Sequence, residues 1–243
     1  MGLANLPAKS ALIPMIWGGP SMHIQELRLV ANDLPELQHF YGDTLGLLAI
    51  LDANNTLVIT IGSSRLIFTH TAETPGPIYH FAFNIPPHQF DAAANWISQR
   101  APLIADSSGQ DRFYSENWDA HNLYFYDPAG NIAELIARHT LPHPTEEPFG
   151  AASLLNVSEI GLATADVPGL VAQLSTDIQL LPYRGTSEIF TAVGDEHGLL
   201  IIVAHGRIWY PETGRPALDV PLSIDLLVGE QRVTITGPAP FRF

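Results

Sequence analysis

From His23 to Ala31 the chain alternates in the two-residue rhythm of a strand, with Leu27 and Leu29 on one face and Glu26, Arg28 and Val30 on the other. The rhythm then changes to that of a helix. Asp33 is placed as its cap and Glu36 completes a capping box, while Leu34, Leu37 and Tyr41 repeat at helical spacing until Gly46. Three short strand patterns follow, Leu47 to Leu51, Leu57 to Ile61 and Arg65 to Thr69, separated by turn residues. The unit reads β-α-β-β-β.

It recurs twice. Tyr79 to Ile85 is a strand, Pro86 and Pro87 open a helix striped by Phe90, Ala93, Ala94 and Ile97, and strands are expected at Leu103 to Ala105, Asn122 to Tyr126 and Ile132 to Ala137. A turn over residues 127 to 131 joins the last two. The third unit starts near Asn156, with a helix capped by Asp166 and strands expected near Ile178, Glu188 to Val193 and Leu199 to Val203. Glu26 stands seven positions before Asp33, Glu159 seven before Asp166, and His80 seven before Pro87, so the register repeats. Alternating Val220, Leu222, Ile224 and Leu226, a turn at Gly229 and Glu230, and then Val233 and Ile235 give a tail hairpin. The expected organisation is an N-terminal extension (1–22), paired modules (23–140), a linker with three prolines (141–155), and a degenerate third module with the hairpin (156–243). The fold class is α+β, with paired β-α-β-β-β modules forming a cupped, partly open mixed barrel.

Composition narrows the partners. Of 243 residues 46% are hydrophobic, enough for a sizeable core. Eleven Lys and Arg against 25 Asp and Glu give a net charge of -14, which argues against nucleic acid. No apolar run approaches the roughly 20 residues of a membrane span; the patch Ala11 to Trp17 is broken by Pro14 and reads as part of a floppy extension, and a cytoplasmic location is expected. With no cysteine, a metal would have to be held by His, Asp and Glu.

Strand parity selects the candidates. Glu26 and Arg28 lie opposite the apolar Leu27 and Leu29; His80 and Asn84 lie opposite Phe81, Phe83 and Ile85; Glu134, Ile136 and Arg138 lie opposite Ala133, Leu135 and Ala137. Each polar set faces away from the side packed under a helix. Glu26 is equally placed to pair with Arg28 as a surface ion pair. Trp118 and His121, in an aromatic-rich loop, are placed to line a cavity or to pack at its rim. Glu159 lacks a partner, because Ile202, four after Gly198, stands where the second unit has Glu134, four after Gly130.

The stretch Leu123-Tyr124-Phe125-Tyr126-Asp127-Pro128-Ala129-Gly130-Asn131-Ile132-Ala133-Glu134, with Phe40-Tyr41 and Leu45-Gly46 in the first helix, resembles the vicinal-oxygen-chelate superfamily, which includes glyoxalase I, bleomycin-binding proteins and extradiol dioxygenases. The resemblance implies a cup closed by paired modules around a divalent metal, with Glu26, His80 and Glu134 as ligands and Phe68 at a fourth ligand position. With a metal held there, Tyr124 is placed as proton donor or orienting hydroxyl and Arg28 or Asn84 to fix a polar substrate group, with Trp118 and His121 as further candidate substrate contacts from their loop. One His with two carboxylates suits Mn, Fe, Zn or Mg as a Lewis acid better than the two-histidine site of ring-cleaving enzymes. The expected function is a metal-dependent lyase, isomerase or dioxygenase acting on a small molecule with adjacent oxygens. The alternative is a non-catalytic binding protein of the bleomycin-resistance type. The odd third module asks for cover from the tail hairpin or from a second subunit in a homodimer, with residues 207 to 211 a candidate contact.

Overall fold

The computed structural model describes residues 19–243, beginning with β1 (Met22–Ala31); the patch Ala11 to Trp17 lies outside them. The first helix forms as its cap requires. The Asp33 carboxylate accepts the Glu36 N–H at 2.9 Å, α1 runs Leu34–Gln38, and a wider π turn, His39–Thr44, carries the chain to Gly46 at φ +78°. Strands β2 (Ala49–Leu51), β3 (Thr56–Ile61) and β4 (Ser64–His70) complete the unit. The second comprises β5 (His80–Asn84), α2 (Phe90–Ser98), β6 (Phe113–Ser115), β7 (Ala120–Tyr126) and β8 (Ile132–Arg138). The third comprises β9 (Asn156–Thr164), α3 (Val167–Ile178) capped by Asp166, β10 (Phe190–Asp195) and β11 (Gly198–Ala204), and the tail hairpin is β12 (Leu222–Val228) and β13 (Gln231–Gly237). None of the described helices is long and apolar enough to cross a membrane.

Two expected strands are not formed. Leu103 contributes only an isolated bridge to Phe125, and the outer strand of that unit is β6 instead. Near Ile178 the helix continues, because Leu174 and Ile178 extend its buried stripe, and only Pro182 bridges to Val193.

The strands form two mixed sheets, ordered β13-β12-β1-β4-β3-β2 and β10-β11-β9-β5-β8-β7-β6. In each unit the first strand pairs parallel to the last, which leaves the other edge of the first strand free. The expected pairing of the first two units is corrected here: β5 joins β9 antiparallel, and β1 joins β12. The hairpin thus supplies cover for the first unit. Between the sheets lies the core, filled by Leu27 and Leu29 of β1, Phe81 and Phe83 of β5, Leu200 and Ile202 of β11, and the apolar faces of the three helices. Ser64 ties the sheets together, donating to the Ile24 carbonyl at 2.6 Å and accepting the Val157 N–H at 3.1 Å. The Phe68 side chain also enters this core, so the fourth-ligand position expected there faces the wrong way.

On its other face the seven-stranded sheet curls until its edges meet. Trp118, between β6 and β7, packs against Tyr183 and Phe190 near the opposite edge, and Arg184 Nη1 donates to the Asn117 carbonyl at 2.9 Å. Every residue of β5 and of β8 is buried, as expected for strands with a core on one face and a covered hollow on the other.

Candidate functional site

The hollow is a cavity of about 400 Å³ on that curled face. Its roof is the excursion 205–217, held by Arg215, which donates to the Gly130 carbonyl and stacks over Tyr126 at 4.1 Å. Trp209 descends from the roof onto β9, where a Cβ on Gly161 would lie 2.3 Å from the indole; the missing side chain is what admits the ring. Three buried side chains share the floor. His80 of β5, Glu134 of β8 and Glu159 of β9 each present a ligand atom, and these atoms all lie within 4.8 Å of one another.

Each is fixed by its neighbours. His80 Nδ1 donates to the Ile132 carbonyl at 3.2 Å, so the neutral ring keeps its lone pair on Nε2, which stands 3.6 Å from Glu134 Oε2, too far for a hydrogen bond. Burial lowers the imidazole pKa to about 4, and the charge of Arg207 adds to the effect, so the ring is neutral near pH 7. Asn122, opposite Ile136 on β7, donates to Glu134 Oε1 at 2.5 Å, and the Tyr124 hydroxyl also bonds that carboxylate. Burial, then the neighbouring Glu159, raise Glu134 to about 8. Glu159 is raised by burial against the pull of Arg138, which donates to it from beneath. Tyr124 is raised well above the usual phenol range by burial and by Glu134, so its hydroxyl stays protonated.

The donor set fits a divalent cation. An unprotonated imidazole nitrogen and two carboxylates that burial forces toward their neutral forms make a hard, oxygen-rich trio. A cation among them would supply the positive charge they lack, and the Ile132 carbonyl and Asn122 already orient the first two ligands.

Of the residues singled out in the sequence, His80, Glu134, Tyr124 and Trp118 meet at this cavity. Glu26 and Arg28 do not. They lie in the six-stranded sheet, where Glu26 is ion-paired to Arg28 and Arg65, and Arg28 also pairs with Asp225 at 2.6 Å. Glu159 takes the place expected of Glu26. Asn84 is buried at the far end of β5 and donates to Asn156 Oδ1 at 3.2 Å and to the Glu196 carbonyl at 3.1 Å. His121 is on the outer face of β7, hydrogen-bonded to His139 at 2.8 Å and packed on Phe90. The sequence set Glu159 aside for want of a partner, offered residues 207 to 211 only as a subunit contact, placed Arg138 on the Glu134 face without a role, and did not single out Asn122. Parity with Tyr124 marks Asn122, and parity with Glu134 marks Arg138.

No family model matches the chain, and no curated protein does. Solved structures do. A proposed dioxygenase from Bacillus subtilis is similar at a TM-score of 0.57 with 14% identity, over 92% of this chain and 87% of that one. A glyoxalase I variant from Zea mays is similar at 0.51 with 15% identity, over 76% of this chain and 68% of that one. The second and third units, joined through their first strands β5 and β9, thus place His80, Glu134 and Glu159 on the curled face of a chain whose fold is similar to that of these glyoxalase I and dioxygenase structures.

Proposed function

We propose that the chain is a metal-dependent enzyme whose His80, Glu134 and Glu159 hold a divalent cation that acts on a small substrate with adjacent oxygens. The observation that carries this is the burial of all three side chains at one point of a cavity large enough for a small molecule. A bound cation would supply Lewis-acid polarisation of a substrate oxygen. The protein's own part is positional. Asn122 and the Ile132 carbonyl orient the ligands, the aromatic roof excludes water, and Tyr124 holds a proton over Glu134 and beside the place for the substrate.

The ion pair of Arg138 with Glu159 favours a second reading, in which the cavity sequesters a small molecule without catalysis. One experiment separates the two. Metal analysis of protein purified without chelator should find about one divalent ion per chain, and Glu134→Ala and Glu159→Ala should lose it. Wild type that is metal-free and takes up no Mn²⁺, Fe²⁺ or Zn²⁺ would refute the enzyme reading and leave the binding protein.

A further inference from the structure

One cation lines the cavity without an ion pair among the described residues. Arg207, at the start of the roof, is half-buried, and its guanidinium lies 5.2 Å over the Phe190 ring. Its side chain makes one hydrogen bond, a weak 3.5 Å contact from Nη1 to the Ile208 carbonyl, and no ion pair among the described residues. The first 18 residues contain no Asp or Glu, so no carboxylate can come from them. Trp118, Phe190, Trp209 and Tyr210 line the same cavity, and their rings offer flat apolar contact.

We infer that Arg207 is the anion-docking point of the cavity, and that the ligand is a small aromatic monocarboxylic acid bearing a hydroxyl or keto oxygen next to its carboxylate. The guanidinium fork matches a carboxylate, and the aromatic wall matches a ring. A single negative charge is preferred because one guanidinium fork matches one carboxylate, and Glu116 also lines the cavity. A volume of about 400 Å³ is at the small end for ligand pockets, which suits a single-ring acid. Only the adjacent oxygen rests on the metal reading above; the carboxylate and the ring do not.

The test titrates wild type, Arg207→Met and Arg207→Lys with mandelate, phenylacetate, mandelamide and phenyl phosphate, following tryptophan fluorescence in chelator-treated and in Mn²⁺-loaded protein. In chelated wild type, both acids should bind at least about tenfold more tightly than the amide. Arg207→Met should abolish that preference and Arg207→Lys should keep part of it. Equal binding of acid and amide, a preference that survives in Arg207→Met, phenyl phosphate binding more tightly than phenylacetate, or no acid binding up to about 10 mM would each overturn the assignment. The metal reading is scored separately, by whether Mn²⁺ favours mandelate over phenylacetate.

Discussion

The Arg138–Glu159 pair gives the sharpest prediction, because its two members respond differently to losing each other. The Arg138 side chain is fully buried, and its Nε and Nη1 have no hydrogen-bond partner; its charge is met by Glu159 and by the Trp118 ring 5.3 Å away. Glu159→Gln removes the counter-charge, and a guanidinium cannot shed its proton. An uncompensated buried charge of this kind costs about 3–5 kcal/mol, which in a chain of this size lowers Tm by about 6–20 °C. Arg138→Met leaves a carboxylate instead. Burial already raises the pKa of Glu159, so it takes up a proton, and the cost falls toward the about 1–3 kcal/mol of a lost charge-assisted hydrogen bond. The double variant has neither charge and should be more stable than Glu159→Gln alone. The assay is thermal and urea unfolding of the four proteins after chelator treatment. Equal costs for the two single variants, or a double variant equal to their sum within about 0.5 kcal/mol, would refute the reasoning.

Other outcomes follow from single contacts. Gly161→Ala places a methyl where the Trp209 ring lies, so it should displace the roof, red-shift tryptophan emission and cost about 1–3 kcal/mol. Glu134 has a folded-state pKa of about 8 against an ordinary 4.5. A raised carboxyl contributes stability that is complete below the ordinary value and lost as pH rises through the folded one, so metal-free protein should lose Tm between pH 5 and 8, and Glu134→Gln should flatten that slope. Tyr41→Phe withdraws the 2.9 Å hydrogen bond to buried Asp127, whose remaining donors are Asn131 and the Ala129 N–H, and should lower stability by about 1–2 kcal/mol in urea titrations at neutral pH.

What could be read from the chain was local. Caps at Asp33 and Asp166, the turn held by Asp127 and Asn131, and the tail hairpin each depend on residues a few positions apart, and each formed. The pairing of units was not legible, since each first strand offers a similar free edge and only packing between the sheets selects its partner. Glu159 was set aside because its own unit offers it no partner, whereas its partners His80 and Glu134 come from the second unit across the β5–β9 pairing; the register within the third unit was also off by one residue. Gly130 sits inside a five-residue turn, from Tyr126 to Ile132, whereas Gly198 is already paired with Asp195 across a two-residue turn. Counting four from each glycine therefore compares opposite faces: Ile202 enters the core between the sheets, and Ile201 faces the cavity in the position matching Glu134. Arg207 and Trp209 lay in a stretch with no periodicity, so nothing marked them as a roof.

Glu26 and Glu159 show why position alone could not rank the candidates. Both stand seven residues before a capping aspartate and both occupy a first strand. Beside Glu26 the neighbouring strand β4 presents Arg65, and the same strand presents Arg28, cations whose side chains remain 58% and 42% exposed. These cations keep part of their side chains in water while they neutralise Glu26, which is itself buried, so its charge is answered by two partly exposed guanidiniums. Beside Glu159 the neighbouring strand presents Leu199, and Trp209 covers the adjacent Gly161. There the carboxylate is dry, shares one buried cation, and is pushed toward its neutral form together with Glu134. The repeat thus makes two equivalent acids, and cover decides which of them belongs to a site. Cover is a property of the distant segment 205–217, and the repeated units carry no trace of it.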